Sequence, residues 1–385
     1  MIGWENALKV GKGFEITWDR WGKNVLQNNE IGYAKRYFYK DKILFFSSSN
    51  PLVLSKDQIK CPADFYLPNT LGHFEPKISK KIDLNTLEEI LHNFKKETKA
   101  SHKGFEPVKQ NISYSSFYLE FKNSHLAEVS LRNYSINGFI LFKKGNYFIN
   151  LPFVSNQDLS ISFSDYLSIL EPYHFLPLPQ IDIKPSRFPV LIYPFTLSFI
   201  FENLMDFFLK GKIPDLVDGF VLKDVPYHKN SPNYFPVDGE GALKEEFQIG
   251  KGKVPYDSFS AFLFKRKSTA NSLRNSIYTP PEVGFHNIVL EGPEKDLNAI
   301  DLYIALTYPL KMQKYDKFFI LEAEGFLYKD KKPSFFFPSI FAKFTIEDFF
   351  SSFYFTKKPL LFYSSTFSIG VPFLFIKGLS IYPFL

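Results

Sequence analysis

Pro177, Pro179, Pro185 and Pro189 fall within 13 residues, and this cluster limits what the chain can fold into more than any other feature. Proline fixes its own φ, removes a donor and restricts the residue before it, so this segment is the best candidate for a domain boundary. The 385 residues therefore read as an N-terminal α+β domain, 1–180, and a C-terminal domain, 187–385. That length suffices for a sizeable core. The longest apolar run, residues 190–201, lies just beyond the break. It holds Pro194 and meets Glu202, Asn203 and Asp206 at once. A membrane helix needs about 20 apolar residues, so the run is expected as a buried helix of a soluble protein without a membrane role. No basic start and apolar stretch opens the N-terminus, so no signal peptide is expected and the compartment reads as the cytoplasm.

Residues 33–47 read as a hairpin around Lys40-Asp41-Lys42. Asp83 can cap a helix whose apolar positions Leu84, Leu87, Ile90, Leu91 and Phe94 share one face. Residues 95–111 read as a loop, Asn137-Gly138 and Lys144-Gly145-Asn146 as turns, and residues 163–170 as a short helix ended by Pro172. Past the break, residues 190–193 form a strand and a helix continues to about Lys210. A second helix is expected over 258–267. The last 70 residues are strand-rich. No repeat of fixed period occurs. Strands and helices do not alternate regularly, so the fold class is α+β.

The chemistry is sparse. With 46 basic and 40 acidic residues the net charge is +6, too weak a bias to argue for nucleic acid. One cysteine, Cys61, excludes an intramolecular disulfide. The seven histidines never lie at a spacing that places two imidazoles on one face, so no local zinc motif exists and no cofactor is implied. There is no Gly-x-Ser-x-Gly elbow, and Gly250-Lys-Gly-Lys253 lacks the rest of a phosphate loop. Glu202 and Asp206, four apart on the expected helix, are weak candidates for a cation site; otherwise they form a solvated stripe with Asp206 paired to Lys210. In Val237-Asp-Gly-Glu-Gly241 the glycines permit positive φ or close backbone approach, and Asp238 and Glu240 project from a tight turn. The stretch Lys265-Arg-Lys-Ser-Thr-Ala-Asn-Ser-Leu-Arg274 offers hydroxyls, an amide and a guanidinium. It suits a peptide backbone or carboxylate, a phosphate, or simply a solvated helix end. Aromatics make up 18% of the chain, and their density after residue 318 predicts an apolar face for dimer or heterodimer contact.

In order, residues 188–195, Val237-Asp-Gly-Glu-Gly241, Tyr256-Asp-Ser-Phe259, Ser268-Thr-Ala-Asn-Ser-Leu-Arg274 and Asn287-Ile-Val-Leu-Glu-Gly292 resemble the second half of the TldD/TldE (PmbA) family, once described as modulators of DNA gyrase. Asp238 to Gly241 matches the family's Asp-Asp-Glu-Gly, with Gly239 for the second aspartate. Residues 268–274 match Ser-Thr-Gly-Asn-x-x-Arg, with Ala270 for the glycine, which removes the usual ground for a positive φ there. Metal-bearing members carry His-Glu-x-x-x-His on the helix; residues 198–208 contain no histidine. The resemblance implies a TldE-type subunit of a metal-dependent peptidase acting on unfolded or precursor peptides, active only with a TldD-like metal-bearing partner, or a homodimer. It would close the chamber and bind substrate through Asp238, Glu240, Ser268, Thr269, Asn271 and Arg274, with no catalytic residue of its own. The alternative is a stand-alone binding or scaffold protein that kept the fold without the chemistry.

Overall fold

A computed structural model describes residues 3–39, 42–50, 67–76, 82–156, 158–274, 276, 278–294, 300–351, 353–356, 360–364 and 368–383. Cys61, and Lys40-Asp41 at the expected hairpin turn, lie outside them.

The first half is one seven-stranded sheet with a helix on it. β1 (Gly3–Asp19) and β2 (Gly22–Phe38) are two 17-residue strands paired along their whole length. β3 (Ile43–Ser48) adds to β2, as the hairpin reading expects, in the register Tyr33↔Ser48 to Phe38↔Ile43. β4 (Leu71–Phe74), β5 (Glu106–Asn123), β6 (Glu128–Lys144) and β7 (Tyr147–Val154) complete the order β3-β2-β1-β5-β6-β4, with β7 also on β6. α1 (Leu84–Ser101) starts at Asp83, whose carboxylate accepts the Thr86 N–H, and it buries Leu87, Leu91 and Phe94. The loop expected over 95–111 is instead the end of α1 and the start of β5. Asn137-Gly138 makes no turn: both lie inside β6, and a Cβ on Gly138 would stand 2.2 Å from the Asn111 carbonyl, so glycine serves close strand approach there. Lys144-Gly145-Asn146 is a turn as read.

Between the halves, α2 (Phe163–Leu167) runs into a 3-10 helix, Ser168–Phe175, that contains Pro172 rather than ending before it. Residues 176–185 are neither helix nor strand. The second half opens with β8 (Ser186–Ile192) and α3 (Pro194–Asn203), which has proline at its first turn, where a missing N–H costs nothing. The long helix expected here is interrupted. Leu204, fully buried, leaves helical geometry at φ −94° and ψ 1°, and α4 (Met205–Leu209) follows.

β9 (Val221–Asp224), β10 (Phe247–Ile249), α5 (Ser258–Leu263), the two-residue pair β11 (Ser272–Leu273) and β12 (Glu282–Val283), and β13 (Asn287–Glu291) come next. α5 is shorter than the helix read over 258–267. Then follow β14 (Leu302–Lys314), β15 (Phe319–Lys329), β16 (Lys332–Phe344), α6 (Ile346–Ser351), β17 (Phe353–Phe355), β18 (Leu361–Ser364), β19 (Ser368–Val371) and β20 (Leu374–Tyr382). One sheet has the order β16-β15-β14-β8-β20-β17, and another β10-β9-β13-β19-β18. The two strands expected at residues 373–382 are one, bulged between Ile376 and Leu379.

An apolar core runs without interruption from Ile16 and α1 through α3 to Ile381. Most of the described aromatics after residue 318 belong to it. Phe319, Phe326, Phe337, Phe349, Phe362 and Phe375 are all buried, so they supply no docking face. Among the described residues no helix is long and apolar enough to cross a membrane.

Candidate functional site

The glycine-framed turn meets the first sheet. Asp238 is 1% exposed; its Oδ1 accepts the N–H of Glu240 and of Ala242, each at 2.9 Å, and its Oδ2 accepts the Ser272 N–H at 3.1 Å. Gly241 takes φ +83°, and a Cβ on Gly239 would stand 2.9 Å from the Ser272 carbonyl. The two glycines thus meet the two needs read from the sequence, positive φ and close approach. Burial, then the charge of Glu240, pushes the Asp238 carboxyl up to about 7, against the pull of its three N–H donors.

Glu240 is equally buried and faces the first half. Its Oε1 accepts from Arg36 at 2.8 Å and its Oε2 from the Ser258 N–H at 2.8 Å. Arg36, on β2, also donates to Glu5 on β1, and Glu5 accepts from Arg274 in turn. Arg274 Nε donates to the Gly239 carbonyl at 3.1 Å. Glu5, Arg36, Glu240 and Arg274 form one buried chain of alternating charge that joins the halves. Burial alone would lower the Arg36 pKa, but Glu5 and Glu240 hold it above the ordinary value. Arg274, with a smaller share of carboxylate, is lowered by burial. Asp257 caps α5 through the Ser260 N–H at 2.6 Å, and burial, then Glu240, raises its pKa.

The loop that ends at Arg274 is built on a second buried polar group. Asp224 accepts the N–H of His286 and of Asn287 on one oxygen, and on the other Lys244 at 2.6 Å and Asn271 Nδ2 at 2.7 Å. Asn271 is fully buried. Ala270 adopts φ +53°, so the left-handed position usually given to glycine persists without it, at a cost in strain. Thr269 Oγ1 accepts the Tyr256 N–H at 2.8 Å, and Ser268 Oγ donates to the Tyr256 carbonyl at 3.3 Å.

A cavity of about 460 Å³ lies between the sheet and this turn. Lys9 and Phe117 line it from the first half, Phe235, Asp238, Arg274 and His286 from the second. Arg274 Nη1 and His286 Nδ1 have no hydrogen-bond partner although buried. The His286 ring rests 4.7 Å from Phe235, and burial, then Lys244, lowers its pKa well below the ordinary value, so it is neutral. The cavity offers aromatic walls with an unsatisfied donor and a neutral imidazole, which suits a partly apolar chain carrying amide groups. Of the six residues singled out from sequence, Asp238 and Arg274 line it and Glu240 stands behind them. Thr269 and Asn271 hold the loop. Ser268 lines a separate cavity on the other side. Glu5, Arg36, Asp224 and His286 were missed, because their partners lie far away in the chain and no local spacing announces them.

α3 and α4 do not fit a metal ion. They carry no imidazole, and the break at Leu204 separates Glu202 from Asp206, which pairs with Lys210 at 3.6 Å and Lys314 at 4.0 Å. Among the described residues no group of three or more His, Cys, Asp or Glu could hold one.

Residues 208–381 match the family model described as the PmbA/TldA metallopeptidase C-terminal domain. The matched stretch carries the C-terminal domain of the TldD/TldE (PmbA) family. TldE from Thermococcus kodakarensis is similar over 99% of this chain and 96% of its own, at 15% identity and a TM-score of 0.80. A protein of Thermotoga maritima described as a candidate modulator of a DNA gyrase is 12% identical, covers 98% of this chain and 96% of its own, and has a TM-score of 0.74. One from Bacteroides thetaiotaomicron, described likewise, is 14% identical over 99% of this chain and 94% of its own, with a TM-score of 0.72. At these identities the likeness concerns the fold, and the TldD/TldE fold is present along almost the whole chain. No curated protein matches the sequence.

Proposed function

We propose that this chain is the non-catalytic subunit of a TldD/TldE-type metal-dependent peptidase. The observation that carries the reading is the junction cavity, lined by Asp238 and Arg274 from the family's two polar motifs, in a chain whose α3 and α4 lack metal ligands. The subunit closes the chamber against a TldD-like partner in the cytoplasm and holds an extended, unfolded or precursor peptide through the cavity. Held in this way, a peptide reaches the partner's metal with less loss of orientational freedom, which accelerates a reaction even when the holding subunit supplies no reacting group.

The test is reconstitution with a metal-bearing paralogue, followed by zinc analysis and peptide turnover. Zinc is expected in the partner only. Ser135→Phe, on the cavity wall, should cut turnover about tenfold or more by filling the space, with melting temperature and zinc content unchanged. One tightly held zinc in the isolated chain, or full turnover by the paralogue alone, would overturn the proposal. A chain that never associates with the paralogue is instead a stand-alone binding protein.

A further inference from the structure

The basic run Lys265-Arg266-Lys267 has no part in the junction cavity. It leaves α5 through a fixed turn, in which the Arg266 N–H bonds the Ala261 carbonyl at 2.8 Å, the Lys265 N–H bonds the Phe262 carbonyl at 3.2 Å, and Lys265 takes φ +50°. All three side chains are exposed, and among the described residues none has an ion-pair partner. Large apolar side chains are exposed beside them, Phe264 at 65% and Leu243 at 59%. Between these groups opens the second cavity, about 300 Å³, walled by Leu243, Ala261, Phe262 and Ala270 and also lined by Arg266 and Lys267.

We propose that this surface docks an acidic peptide segment, with an apolar anchor side chain in the cavity and carboxylates on Arg266 and Lys267. Three adjacent cations with no counter-charge among the described residues repel one another, and a carboxylate-bearing partner removes that cost. The turn fixes the backbone that carries them before any partner arrives, so no loop has to be ordered on docking. A nucleic acid would satisfy the charge but leave the apolar cavity unfilled. A bilayer is flat, and the apolar part of this site is concave. The site is separate from the junction cavity and does not depend on a peptidase role.

The full chain should be titrated into a fluorescein-labelled Glu-Asp-Phe-Leu-Asp-Glu peptide and followed by anisotropy. Binding is expected, weakened by salt. It should fall about tenfold or more when serines replace the peptide's Phe and Leu, and when the chain carries Arg266→Glu with Lys267→Glu. Arg266→Ala with Lys267→Ala, which creates no new charge, should weaken binding in the same direction at an unchanged melting temperature. Failure of the peptide to bind, equal binding by the charge variants or by the serine peptide, or tighter binding of a single-stranded oligonucleotide or of phosphatidylserine vesicles would each overturn the proposal.

Discussion

The ring-filled core beneath α3 and α4 and the charged junction between the halves are both buried, and they stabilise the molecule by opposite means. In the first, Phe201, Phe208, Phe344, Phe349 and Phe350 meet at 5.1–6.4 Å between centroids, mostly edge-on or tilted. Such contacts are numerous, weak and weakly directional, so a loss at one is shared by many. In the second, Glu5, Arg36, Glu240 and Arg274 are each at most 2% exposed at the side chain and depend on a few specific partners. Removing one leaves an uncompensated charge in a medium that cannot solvate it. The comparison teaches that the molecule is tolerant where it is aromatic and brittle where it is charged.

The largest expected effect is at the middle of the chain of charges. Arg36→Met strands Glu5 and Glu240 and should cost about 3–5 kcal/mol in urea unfolding. A cost under about 1 kcal/mol would break the comparison. Arg274→Ala should cost about 2–3 kcal/mol, since Glu5 keeps Arg36. The family resemblance implies a substrate-binding role for Arg274, and its internal partner gives it a share in folding as well. A third measurement concerns Glu324, which has no ion pair among the described residues. It accepts the Tyr173 hydroxyl at 3.2 Å and lies beside the aromatic region, where burial pushes its pKa up to about 7 from an ordinary 4.5. The folded state therefore holds this proton more tightly than the unfolded state. The contribution is complete below about 4.5 and is lost as pH rises through about 7. Glu324→Gln should gain on the wild type across that window, by about 1–2 kcal/mol above pH 7 after allowance for partial exposure, read from melts at several pH values. Curves that stay parallel would remove Glu324 from the argument. The smallest effect is expected in the core. Phe201→Leu should cost about 1–2 kcal/mol, because neighbouring rings can close part of the void. A loss equal to that of Arg36→Met would erase the contrast.

What could be read from the sequence follows the reach of each interaction. The Asp83 cap, the apolar face of α1 and the β2–β3 hairpin depend on neighbours a few residues apart, and they are present as read. β1 was not recognised, because its burial alternates poorly and much of its partner strand is exposed. The helix break at Leu204 has no glycine or proline to announce it. Residues 238–241 form a tight turn and 265–271 an irregular loop, and Asp206 pairs with Lys210 as expected of a solvated stripe. Which motif residues face the cavity and which face inward depends on Glu5, Arg36 and Asp224. These belong to other elements, and no pattern of residue types along the chain betrays them.

Glu5 and Arg274 are 269 residues apart, and their bond also has a consequence in time. A ribosome delivers the chain from its N-terminus, so the first sheet emerges with Glu5 and Arg36 as an isolated pair, long before Glu240 and Arg274 exist to complete the set. The early sheet must hold those charges in water, and the junction can close only after residue 274 has cleared the exit tunnel. Closure of the two halves is in this sense a late step of biosynthesis, placed after most of the chain has been made.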